Sequence, residues 1–102
     1  MVKQVIWSRT AHNDRIEILD YWMKRNKSSA YSKRLNQVFE NTVELISKHP
    51  NIGKQTEIEG IRYKVIKDYL LTYRESVQFI EILTIWDSRQ DPIKFDSIIK
   101  RF

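Results

Sequence analysis

The chain begins with a run of β-favouring residues, Val2 to Trp7, followed by Ser8, Arg9 and Thr10, which suit a strand end and a helix N-cap. This predicts a first strand. From Ala11 to about Arg25 the apolar spacing becomes helical. Ala11, Ile18 and Trp22 share one face, and Ile16, Leu19 and Met23 fill its flank at steps of three and four. Asp14 falls in the first turn of this predicted helix, where a carboxylate complements the macrodipole. Asn26-Lys27-Ser28-Ser29 then supplies a stop and an N-cap serine, so a second helix follows at once. Its stripe runs through Tyr31, Leu35, Val38, Phe39, Thr42, Leu45 and Ile46, with Lys33, Arg34, Asn36, Gln37, Glu40 and Lys48 on the other side, and Pro50 ends it. Two amphipathic helices joined by a few residues cannot bury both stripes alone, so a flat element must cover them.

The second half of the chain provides that element. After a polar stretch, Asn51 to Gly60, the period drops to two: Ile61, Tyr63 and Val65 alternate with Arg62, Lys64 and Ile66. Lys67-Asp68 forms a turn, Tyr69 to Arg74 a further strand, Glu75-Ser76 a second turn, and Val77 to Trp86 a long strand. That last strand is apolar on both faces and is therefore placed in the interior of the sheet. The predicted order is β-α-α-β-β-β, an α+β fold in which a twisted, mainly antiparallel sheet packs against an α-helical hairpin. Phe95, Ile98, Ile99 and Phe102 are spaced for one face of a short final helix.

Composition narrows the function classes. The 102 residues suit a single domain spanning 1–102, and two Gly and two Pro leave no room for long linkers. No apolar run is long enough to span a bilayer, and the start lacks a secretory signal, so a cytoplasmic protein is expected. With no Cys, a disulfide framework and a thiolate metal site are excluded; with only His12 and His49, no metal or other cofactor is expected. The net charge of +5 directs attention to anionic partners: nucleic acid, ribosome or an acidic protein.

Local words along this framework resemble the RelE/ParE toxin superfamily from strand one to Pro92. They are Ala11 and Asp14 opening helix one with Tyr21-Trp22 further along it, Pro50-Asn-Ile-Gly53, Glu59-Gly60-Ile61-Arg62, Tyr69-Leu70-Leu71-Thr72-Tyr73, and the exit Ile85-Trp86-Asp87-Ser88-Arg89-Gln90-Asp91-Pro92. The resemblance implies the toxin of a type II toxin–antitoxin (plasmid stabilization) pair, a growth inhibitor neutralised by a cognate antitoxin in a hetero-oligomer. On that reading Trp22, Tyr31 or the 95–102 tail offers apolar contact area to the antitoxin, although helically spaced aromatics are more often core.

Two target classes follow from it. The RelE-like branch is a ribosome-dependent mRNA endonuclease, which needs several cations converging on one phosphate and a positioned acid and base. Arg62 and Lys64, two apart on one strand face, and Arg89 beyond the long strand are the candidate target contacts, expected to cluster at the end of the sheet. Glu57 and Asp87 are the candidate acid and base, and Arg62 has an alternative as the ion-pair partner of Glu59 or a helix carboxylate. Leu70 stands where nuclease members resemble one another in having arginine, and Trp86-Asp87 where many relatives carry a basic or proton-donating group. The ParE-like branch inhibits DNA gyrase without chemistry of its own, and the long hairpin, the Gly-Ile-Arg word and the Arg-x-Asp-Pro exit favour it. An inactive relative that only binds antitoxin is the third reading.

Overall fold

The computed structural model describes residues 2–102. Its first element, β1 (Gln4–Trp7), hands over to α1 (Arg9–Asn26) through Ser8. The Ser8 hydroxyl does two jobs at this corner: it accepts from the Ala11 N–H, capping the helix, and donates to the Leu83 carbonyl of the distant β5 (Phe79–Asp87). Helix α1 ends where Lys27 takes a left-handed conformation, φ 51°, and its N–H bonds back to Met23. Helix α2 (Ala30–Lys48) then starts at Ser29, whose side chain makes no cap; the Ser28 hydroxyl accepts from the Ala30 N–H instead.

β2 (Lys54–Gln55), β3 (Ile61–Ile66), β4 (Tyr69–Glu75) and β5 follow, and α3 (Pro92–Ile99) closes the chain. The strand order is β1-β5-β4-β3-β2. All pairings are antiparallel except that of β1 with β5, which is parallel and makes the sheet mixed. The architecture is α+β, as the periodicities predict. Four local expectations are corrected. The polar 51–60 stretch contains β2, whose two residues bear too little pattern to read. Val77 lies in the β4–β5 connection, 91% exposed, outside the strand that its β-branched side chain suggests. The final helix, its apolar face expected at Phe95 to Phe102, instead runs Pro92–Ile99, with the Asp91 carboxylate accepting from the Ile93 N–H and Pro at the start, where a missing N–H costs nothing. Ile16 and Met23, assigned to the packed flank of α1, are about half exposed.

Alternation sorts the strand residues between two faces. Ile66, Tyr69, Leu71, Tyr73, Ile80, Ile82 and Ile85 meet Ala11, Leu35, Phe39, Val43 and Ile46 of the helices in the main core. On the reverse side the smaller α3 covers part of the sheet, burying Ile99, and Phe95 packs beside Trp86 with ring centroids 6.0 Å apart. The register of β4 on β5 slips at Thr72/Tyr73, so that Thr72 faces Thr84 while Tyr73 faces Ile82. Leu83 is the extra residue of this bulge, and it is fully buried.

Candidate functional site

The bulge re-aims the end of β5 toward α1. Beyond it, the Thr84 hydroxyl and the Ile85 N–H both donate to Asp14 Oδ2, at 2.6 and 3.1 Å. Asp14 is thus tied to the sheet from the second turn of α1, not placed in the first turn to meet the macrodipole. Burial pushes its carboxyl above the ordinary aspartate value, and the two hydrogen bonds only partly offset that. A groove of about 450 Å³ opens here, lined by Asp14, Glu17, Tyr21, Tyr69, Asp87 and Arg89 among others. Its floor is rigid: the Trp22 indole N–H donates to the Tyr69 hydroxyl at 2.8 Å, and Trp22 packs edge-on against both Tyr21 and Tyr31. Trp22 and Tyr31 are partly buried members of the core packing.

At the mouth of this groove Arg89 folds back on its own strand. Its Nε and Nη2 bond the two oxygens of Asp87 at 3.0 and 2.8 Å, its backbone N–H bonds Oδ1, and Asp68 stands 4.0 Å from Nη1. Arg89 holds the Asp87 carboxyl below its usual range, and Asp87 in turn raises the guanidinium above its own. Both carboxylate oxygens of Asp87 are thus occupied by Arg89. Arg89 has its fork occupied by a carboxylate rather than free for a phosphate.

Arg62 and Lys64 do share a face, as their spacing requires, but Arg89 is remote from Arg62. In register Arg62 lies opposite Tyr73 and then Ile82, whereas Asp87 lies opposite Tyr69 and then Ile66, at the other end of β3. The expected cluster at one end of the sheet does not form: β3 and β5, each antiparallel to β4, run in the same direction, and Arg62 opens β3 whereas Arg89 follows the end of β5. Arg62 pairs with neither Glu59 nor a helix carboxylate; its Nη1 donates to the Gly53 carbonyl at 2.9 Å. Gly53 is fixed from the other side by Tyr73, whose hydroxyl accepts from the Gly53 N–H and donates to the Pro50 carbonyl. Lys64 has no ion-pair partner among the described residues.

Glu57 lines a separate groove of about 260 Å³ with Tyr63, Leu70, Phe95 and Ile99, on the α3 side of the sheet. Leu70 contributes an apolar wall to the same groove. The candidate acid and base are thus distributed over two grooves, Glu57 beside α3 and Asp87 beside α1. Among the described residues, no cluster of His, Cys, Asp or Glu could hold a metal ion. No helix there is long and apolar enough to cross a membrane.

Residues 5–92 match the family described as ParE toxin of type II toxin-antitoxin system, parDE. This chain belongs to the ParE toxin family. No curated protein matches its sequence significantly. Among solved structures, 11 chains match significantly. One, from the "Chromosomal ParDE TA system from P. aeruginosa", aligns with a TM-score of 0.72 over 82% of this chain and 94% of that one, at 20% identity. That similarity establishes a shared ParE fold. Sequence reading correctly found the β-α-α-β-β-β framework of this ParE toxin but missed Asp14 as the link to β5, since a bulge in a distant strand leaves no signal near residue 14.

Proposed function

We propose that this ParE-family toxin acts by binding DNA gyrase and performs no chemistry of its own, and that a cognate antitoxin holds it inactive in a cytoplasmic hetero-oligomer. The observation that carries the reading is the dispersal of the polar candidates. Arg62 and Lys64 sit on the helix side of β3, Arg89 is chelated by Asp87 at the opposite end, and Glu57 lies beside Leu70 on the reverse face. In-line attack at a phosphate needs cations, acid and base converging within a few ångströms of one another, whereas a binding surface tolerates such dispersal.

An acidic antitoxin fits the other edge of the sheet. β2 pairs only with Arg62 and Tyr63, so Lys64 to Ile66 of β3, joined to β4 on one side, have no strand on the other, and Lys64 and Lys67 stand there without ion-pair partners among the described residues. An extended segment of negative charge gains both main-chain pairing and electrostatic steering at such an edge.

The test runs two assays with the purified toxin. Gyrase supercoiling is inhibited in the presence of the toxin and restored by the antitoxin, while mRNA on translating ribosomes keeps its ends. Codon-register cleavage of that mRNA, with supercoiling unaffected, overturns the proposal. Arg62→Ala is expected to lower gyrase inhibition at least tenfold; Arg62→Ala protein that folds normally and inhibits fully moves the contact surface elsewhere.

A further inference from the structure

The two edges of the sheet differ in charge. Among the described residues Lys64 and Lys67 beside β3 have no ion-pair partner, whereas Lys3, Arg74, Glu75 and Glu81 beside β1 are matched with one another and Arg9, past the end of the strand, is the free cation on that side. Lys3 Nζ lies 2.7 Å from Glu75 and also donates to the Ser76 carbonyl, and Arg74 bonds Glu81 at 2.7 Å. Between these pairs, on the face opposite the helices, Ile6 and Phe79 line a groove of about 220 Å³, with Ile6 40% exposed. A neutral apolar patch is where a molecule of net charge +5 meets least repulsion from another of the same charge.

The backbone of β1 is also open at this edge. Ser8 N–H donates to the Ile82 carbonyl, toward β5, whereas Lys3 N–H points away from β5 to the Ser47 carbonyl. Backbone groups alternate in direction along a strand, so Val5 and Trp7, in phase with Lys3, turn theirs to the free side. Most exposed edges carry a charge or proline that blocks pairing. Here Lys3 is held by Glu75 and Lys48, beside it at the end of α2, by Glu44.

We infer that β1 is a homodimerisation edge, pairing antiparallel with β1 of a second copy about a two-fold axis at Ile6. Val5 of each copy exchanges backbone hydrogen bonds with Trp7 of the other. Ile6 then faces its symmetry mate across a non-hydrogen-bonded pair, the closer of the two antiparallel spacings at about 4.5 Å between Cα atoms. Such an isologous contact closes on itself and leaves the cationic β3 edge of both copies free for a different partner.

The chain has no cysteine, which makes the register directly testable. Ile6→Cys at that spacing is within disulfide reach, so mild oxidation of the purified full chain should give a disulfide-linked dimer on a non-reducing gel. Val65→Cys, 60% exposed on the opposite edge, should remain monomeric under the same conditions. Light scattering of the unmodified chain should show its mass rising from 12.4 kDa toward twice that value with concentration, and more readily at high salt, where the repulsion of like-charged copies is screened. Ile6→Lys, checked for native circular dichroism, should abolish the rise, and Ile6→Thr should weaken it about tenfold while keeping a β-branched side chain in the strand. A chain that stays monomeric at all concentrations and salts overturns the inference, as does equal cross-linking of the two cysteine variants. Association that weakens with salt and survives Ile6→Lys points to another surface and overturns it too.

Discussion

Asp14 loses water on entering the fold and receives two hydrogen bonds at a single oxygen, and the loss of water is the larger effect. Its folded value is raised above that of the unfolded chain, so its contribution to stability is greatest below the ordinary aspartate value and is lost as pH rises through the folded value. Asp14→Asn keeps an oxygen to accept from Thr84 and Ile85 but cannot ionise. It is expected to flatten this part of the stability-versus-pH curve, measured by urea unfolding from pH 3 to 7. Asp14→Ala leaves the Ile85 N–H without its partner and should cost about 1–3 kcal/mol at any pH in that range. Asp87 has the opposite sign. Its value is lowered by Arg89, so its contribution is present above the ordinary aspartate range and disappears as pH falls through the lowered one. Because the Arg89 side chain is more than half exposed, Arg89→Ala should move the melting temperature by no more than about 3 °C, while changing the charge pattern at the groove mouth.

Turns and loop crossings set the limits at the level of elements. The 49–53 segment passes under the end of β4, where a Cβ on Gly53 would lie 2.6 Å from the Tyr73 hydroxyl and 2.9 Å from the Tyr63 carbonyl oxygen. The backbone carbonyl cannot yield as a flexible side chain would. Gly53→Ala is therefore expected to destabilise by about 1–3 kcal/mol and to displace the carbonyl that receives Arg62. Tyr73→Phe keeps the ring but orphans the Gly53 N–H, with a cost of about 1–3 kcal/mol by denaturant titration. In the β3–β4 hairpin the strain runs the other way. Lys67 occupies φ 55° at the first position of a two-residue loop, a place glycine takes without steric penalty. Lys67→Gly should stabilise by about 1 kcal/mol, read as an upward shift in thermal midpoint, and removes one cation from the β3 edge.

For the whole molecule, surplus positive charge and a sheet with two unlike edges dictate how partners approach. If the β3 edge receives an acidic antitoxin, the association rate constant should fall steeply between about 50 and 500 mM salt, with a smaller change in the dissociation rate, because distant charges are screened while close contacts are not. A rate independent of salt, measured by stopped flow, rejects charge-guided capture at that edge. The dispersal of Arg62, Glu57 and Arg89 is a property of this same scale. It arises from the register of β3, β4 and β5, which sets Arg62 and Arg89 at opposite ends of the sheet, and from the loop that carries Glu57 to the groove beside α3, none of which any single residue controls.

By itself, the sequence determined the two long helices and the four longer strands, though not the two-residue β2. Helical spacing in 11–25 and 31–46 and alternation in 61–66 are local consequences of burying one face, and the word pattern from Ala11 to Pro92 was enough to point to the RelE/ParE resemblance. The tertiary structure alone decided what lies next to what. β1 pairing parallel with β5, the bulge at Leu83 that delivers Thr84 and Ile85 to Asp14, and the chelation of Arg89 by Asp87 all depend on register and side-chain geometry. The separation of Arg62 from Arg89 belongs with them: two residues read as neighbours by motif become distant because one opens β3 and the other follows the end of β5, strands that run the same way on either side of β4, and pattern along one dimension carries no record of that pairing.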